Sequence, residues 1–219
     1  MIQNIINDLE TSLPYVSEIG SSGVAKVPGR LAQELAAWDG KNEHHPEMQP
    51  RLAAYWNHID YGPWNPDVPW SASFVSWIMR NTGFPESANH RTLVEEIIAG
   101  NHPQWKAYSI PKNLSVIRLS PGDILVEPRG KGAPPNDPSG DYWISHSSIV
   151  YRIAGNRAEL VGGNVGNTVK IEARIPVDAE GYPLTDLGDY KIILKREKKN
   201  GTRIAIVLLG LWAIWRIRK

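Results

Sequence analysis

Apolar residues change their spacing once along this chain, near Pro111, and that switch limits the fold more than any other feature. Before it they recur every three or four residues, the period of a helix with one buried face. After it β-branched residues alternate or run in short blocks, the pattern of strands. Helices first and strands second predict an α+β domain, a helical half packed on a mostly antiparallel sheet joined largely by hairpins.

The helical half reads in five pieces. Residues 2–12 suit a short helix, and Val27-Pro28-Gly29-Arg30 opens a second, with Pro28 in the first turn and Leu31, Leu35 and Trp38 on one face until Gly40. A third runs from Pro50 to about Ile59 and presents Leu52, Tyr55 and Trp56. The prolines and glycine between Asp60 and Pro69 cannot continue it. A fourth begins at Trp70, carries Phe74, Val75, Ile78 and Met79, and ends before Gly83; a fifth spans about Asn89 to Ala99.

The strand candidates are Asp123-Ile124-Leu125-Val126, Ser147-Ser148-Ile149-Val150-Tyr151, Ala158-Glu159-Leu160-Val161, Val169-Lys170-Ile171 and Tyr190-Lys191-Ile192-Ile193-Leu194. Gly155-Asn156 between two of them reads as a hairpin turn. The Gly- and Pro-rich stretch from Pro128 to Asp141 is too long for a simple connector and reads as a flap near a site.

At 219 residues and 42% hydrophobic, the chain has material for one core, taken as residues 1–200, followed by a tail at 201–219. From Ile204 to Trp215 that tail is apolar apart from Gly210, with basic residues on both sides. As a helix it would be about 18 Å long against a hydrocarbon core of roughly 30 Å. Two readings stay open: membrane contact aided by snorkelling arginines and two tryptophans, or a short apolar helix buried in the core or in an oligomer contact. Met1-Ile2-Gln3-Asn4 is not a basic region leading into an apolar run, so no secretory signal peptide is expected. A cytoplasmic or tail-anchored location follows as the expectation.

Lys and Arg total 24 against 23 acidic residues, which gives no reason to expect a nucleic-acid partner. The absence of cysteine removes disulfides, thiolate zinc sites and a thiol nucleophile together. His44-His45 lies among metal-ligand residue types without metal-ligand spacing, so no metal or cofactor is expected. Most of the nine tryptophans fall between Trp38 and Trp77, where they serve either as core or as walls of a sugar- or peptide-binding groove.

A hydroxyl in the first turn of a helix sits among unpaired N–H groups and partial positive charge, which suits a nucleophile and an oxyanion; it also suits an N-cap. Ser71 has that place. His146 opens a strand on the other side of the expected fold, and Asn164 follows in Gly162-Gly163-Asn164, either as an orienter of the imidazole or as a residue that tolerates a left-handed turn.

These residues also carry a resemblance. Pro69-Trp70-Ser71-Ala72-Ser73-Phe74-Val75-Ser76-Trp77, Pro121-Gly122-Asp123-Ile124, Ser145-His146-Ser147-Ser148-Ile149-Val150 and Gly162-Gly163-Asn164-Val165 resemble, in order, four elements of domain-of-unknown-function family 2272. The likeness covers roughly residues 50–195. It implies a papain-like fold related to the CHAP and NlpC-type cell-wall peptidases, with serine at the usual cysteine position. The chain departs from the family at Ser147 and Ser148, where cysteine and aspartate are expected. Ser87-Ala88-Asn89-His90 resembles a further segment and makes His90 a second histidine candidate.

The resemblance implies an amide hydrolase acting on peptidoglycan by acyl transfer, with Ser71 attacking, His146 as base and Asn164 as orienter, and with Trp70, His90, Trp77 and Trp143 as binding residues. The alternative is an inactive module of the same fold that binds peptidoglycan, or that is anchored to a membrane or virion. A bacteriophage context would reconcile a chain without a signal peptide with a substrate outside the cytoplasm.

Overall fold

The computed structural model describes residues 23–110, 114–129 and 144–197. The expected helix at 2–12, most of the flap, Trp143 and the apolar tail lie outside the described residues. Among those described, four α-helices precede all six strands of one antiparallel sheet.

The helices are α1 (Val27–Trp38), α2 (Gln49–His58), α3 (Ser71–Ile78) and α4 (His90–Ile98). Their boundaries follow local chemistry. Pro28 and Pro50 sit in first turns, where a missing N–H costs nothing, and Asn89 caps α4 by accepting from the Arg91 N–H at 2.8 Å. Gly40, with φ at 68°, turns the chain after α1. Helix α3 is shorter than its apolar pattern predicts. It stops at Ile78, and the Arg30 guanidinium caps its end by donating to the carbonyls of Ile78 and Arg80 at 2.7 and 2.6 Å.

The strands are β1 (Trp105–Ser109), β2 (Ile124–Arg129), β3 (Ile144–Ala154), β4 (Arg157–Gly162), β5 (Lys170–Pro176) and β6 (Ile192–Arg196), in the order β1-β6-β2-β3-β4-β5. Hairpins join β2 through β5, and Gly155, at φ 59°, makes the β3–β4 turn as expected. Strand β6 returns between β1 and β2, so the sheet is a meander closed by one long crossover.

Alternation along the central strands explains why they read as solid apolar blocks. Ile124 and Val126, Ile149 and Tyr151, Val161, Ile192 and Leu194 face the helices and join Leu31, Leu52, Phe74, Val75 and Leu93 in one core. Leu125, Val150, Leu160 and Ile193 point to the other face, which Ile117, Leu119, Val177 and Leu187 cover. Each fully buried side chain of this kind contributes about 1.5–3 kcal/mol. Among the described residues no helix is long and apolar enough to cross a membrane.

Candidate active site

Helix α3 begins against the sheet, and its position depends on the turn after β4. A Cβ at Gly163 would lie 2.5 Å from the Phe74 ring, so only glycine lets the first turns of α3 pack this close. The turn itself is fastened to the helical half. The Glu43 N–H donates to the Asn167 carbonyl at 2.8 Å, and the Thr168 hydroxyl donates to the Lys41 carbonyl at 2.8 Å. Asn164 supplies a left-handed residue to that turn, with φ at 59°. Among the described residues the side-chain partner of His146 is Glu172, not Asn164.

Ser71 is the first residue of α3 and is not its cap, because Trp70 holds the cap position and the Ser71 hydroxyl is engaged elsewhere. Ser71 Oγ lies 2.7 Å from Nε2 of His90, the first residue of α4. Two helix starts therefore meet at one hydrogen bond. Each leaves its leading amides without an intrahelical acceptor and with partial positive charge. Ser71, His90 and His146 are 8%, 5% and 4% exposed, so the contact is almost closed to solvent among the described residues.

His90 therefore takes the place beside Ser71 that the sequence assigned to His146. The two imidazoles are neighbours, with ring centroids 5.7 Å apart and planes at 70°. His90 is held well below the usual histidine range, first by burial and then by the charges of His146 and Arg129, so it is neutral near pH 7. Its Nδ1 has no hydrogen-bond partner among the described residues.

His146 is held differently. Its Nε2 lies 3.1 Å from Oε2 of Glu172 on β5. The other carboxylate oxygen of Glu172 accepts from the Tyr190 hydroxyl at 3.3 Å, and that hydroxyl is 3.0 Å from the buried Ser148 Oγ. Glu172 is not among the sequence candidates, which place the third residue in the Gly162-Gly163-Asn164 turn. The signal is the pair Gly162 and Glu172: a Cβ at Gly162 would lie 2.7 Å from the Glu172 carboxylate.

Of the tryptophans near Ser71, Trp70 is interior and Trp77 is half-buried against the same core. Trp70 is buried, stacks on Trp38 at 4.9 Å and donates its indole N–H to Glu43 at 2.6 Å. Trp77 donates to Glu34 at 3.1 Å, and the Arg80 guanidinium lies 3.9 Å from its ring centre. Glu34 also accepts from Arg51 at 2.9 Å and Tyr55 at 2.5 Å, and burial together with that carboxylate raises the Tyr55 phenol well above its usual range. Trp70 and Trp77 thus sit in polar networks, and the one around Glu34 fixes α1, α2 and α3 together. Asp123, in the Gly-Asp-Ile element, is likewise structural. It accepts from the Ser120 N–H at 2.8 Å and pairs with Lys195, while burial raises its carboxyl to about 6.

Among the described residues no group of three His, Asp or Glu side chains could hold a metal ion. A family model described as "Uncharacterized protein conserved in bacteria (DUF2272)" matches residues 33–198, and the chain belongs to that family. No curated protein and no solved structure matches it.

Proposed function

Membership of an uncharacterised family leaves the reaction to be read from the site, and we propose that this protein is an amide hydrolase acting by acyl transfer through Ser71. The observation that carries the reading is the 2.7 Å contact between Ser71 Oγ and His90 Nε2 at the start of α3. A serine hydroxyl needs a base within hydrogen-bond reach, and a neutral imidazole meets that need. His90 accepts at Nε2 as the Nδ1–H tautomer. Ser71 Oγ then attacks the carbonyl carbon as its proton passes to His90. The carbonyl electrons move to an oxyanion held by the leading amides of α3, and collapse expels the amine, which takes the proton from His90. Water hydrolyses the resulting ester by the same route.

The substrate class follows from the resemblance to cell-wall peptidases: an amide in a peptide–sugar polymer such as peptidoglycan. Purified peptidoglycan incubated with the protein should release soluble fragments bearing new amino groups, and Ser71→Ala should abolish release without unfolding the chain. Equal release by wild type and Ser71→Ala would refute the proposal. A second reading, an inactive peptidoglycan-binding module, draws on the unpartnered His90 Nδ1, since no described group orients the tautomer that a base requires. It expects co-sedimentation with cell wall and no fragment release.

A further inference from the structure

Resting on that acyl-transfer reading, we propose that Glu172 is a positioning residue for the histidine pair: through His146 it supplies the negative charge that lets His90 take the proton of Ser71. The first support is the backbone. Leu160 pairs with Ala173 and Val161 pairs with Ile171, so Glu172 is the extra, unpaired residue of a β-bulge between β4 and β5. A bulge re-aims the side chain it carries, and here the side chain is aimed at His146.

The second support is the grip on the carboxylate. Oε2 meets His146 Nε2 at 3.1 Å and Oε1 accepts from Tyr190 at 3.3 Å, so both oxygens are fixed. Tyr190 is in turn tied to Ser148, which is fully buried. Burial and the Glu172 charge raise the Tyr190 phenol, which keeps its proton and remains a donor to the carboxylate. The absence of a side chain at Gly162 provides the room, because a Cβ there would lie 2.7 Å from Oε2 and 2.8 Å from Cδ of Glu172.

The third support is charge. Burial and the neighbouring His146 both oppose a proton on His90. In a site this enclosed a carboxylate across the second imidazole is worth far more than it would be in water. Glu172 bonds to His146, whose ring touches His90, and His90 in turn meets Ser71, so the carboxylate acts through the imidazoles and not on the substrate.

The test compares wild type, Glu172→Gln and Tyr190→Phe by two readouts: imidazole 15N resonances of His90 and His146, and the rate at which a fluorophosphonate labels Ser71. The proposal expects Glu172→Gln to move the resonances of both rings and to slow labelling several-fold, by no more than about tenfold, with Tyr190→Phe acting in the same direction and less. A change confined to His146, with His90 and the labelling rate as in wild type, would overturn it. If wild type does not label at all, the acyl-transfer reading fails by itself. The His90 resonances then decide the role of Glu172, a response supporting the coupling and its absence refuting it. Should Glu172→Gln fail to fold, Tyr190→Phe carries both readouts.

Discussion

His90 and His146 are buried to nearly the same degree, 5% and 4% exposed, yet they are held in opposite ways. His90 sits at a helix start, touches a hydroxyl with one nitrogen and leaves the other without a described partner. His146 sits on a strand and faces a carboxylate that is itself fastened by Tyr190 and Ser148. Burial first, and then the charges of His146 and Arg129, keep the first imidazole neutral, whereas the second faces a carboxylate. The difference teaches that a base and its support can lie on separate elements, joined by ring contact instead of one continuous hydrogen-bonded triad.

The sharpest way to break that comparison is to give Ser71 a better nucleophile. In Ser71→Cys, the His90 imidazole and the α3 amides should favour the thiolate, and alkylation by iodoacetamide near pH 6 should run about a hundredfold faster than for a free cysteine. Adding His90→Gln should remove most of that gain, leaving only the share owed to the α3 amides, while adding His146→Gln should change it by no more than about tenfold. Equal losses from both histidine variants would erase the distinction.

A smaller effect concerns the turn that positions α3. Gly163→Ala should cost about 1–3 kcal/mol in urea unfolding, because the new Cβ must displace the Phe74 ring. It should also slow any Ser71 chemistry. A variant as stable as wild type would show that α3 does not depend on this clearance.

The smallest effect is in the pH dependence of stability. Above about pH 6.5 His90 is neutral in the folded and unfolded chain, and it contributes no slope. As pH falls below that value the unfolded chain binds a proton that the buried imidazole refuses, so stability declines. Asp123 works in the other sense. Its folded carboxyl titrates near 6, so from about pH 4 to 6 it holds a proton that the unfolded chain has released, and its contribution shrinks as pH rises. Comparing wild type with His90→Gln cancels Asp123. Urea midpoints at pH 7.5 and 5.5 should fall less in the variant, and an identical fall would contradict the assignment.

Much of this fold is legible from local signals. Pro28, Pro50 and Asn89 open helices, Gly40 and Gly155 turn the chain, and the apolar blocks at Ile124, Ile149 and Ile192 become central strands buried on both faces. Strand β1 escapes because Trp105-Lys106-Ala107-Tyr108-Ser109 lies at the sheet edge with one fully buried residue, and edge strands need no apolar alternation. The packing of the tryptophans is not legible because the acceptors that hold their indoles, Glu43 for Trp70 and Glu34 for Trp77, lie 27 and 43 residues away.

The site divides in the same manner. Ser71 is marked by its place at a helix start and His146 by its neighbours in sequence. The choice of His90 over His146 as the partner of Ser71 depends on how two helix starts converge, and Glu172 depends on a bulge; neither leaves a periodic trace.

The hydrolase proposal stands on the activation of Ser71 by His90. Its most direct measurement is covalent labelling of the folded protein by a fluorophosphonate, with the modified residue located by mass spectrometry. The account predicts labelling at Ser71 in wild type, a loss of about a hundredfold or more in His90→Gln, and a loss no larger than about tenfold in His146→Gln. Labelling that survives His90→Gln but disappears in His146→Gln would contradict it and return the base to His146.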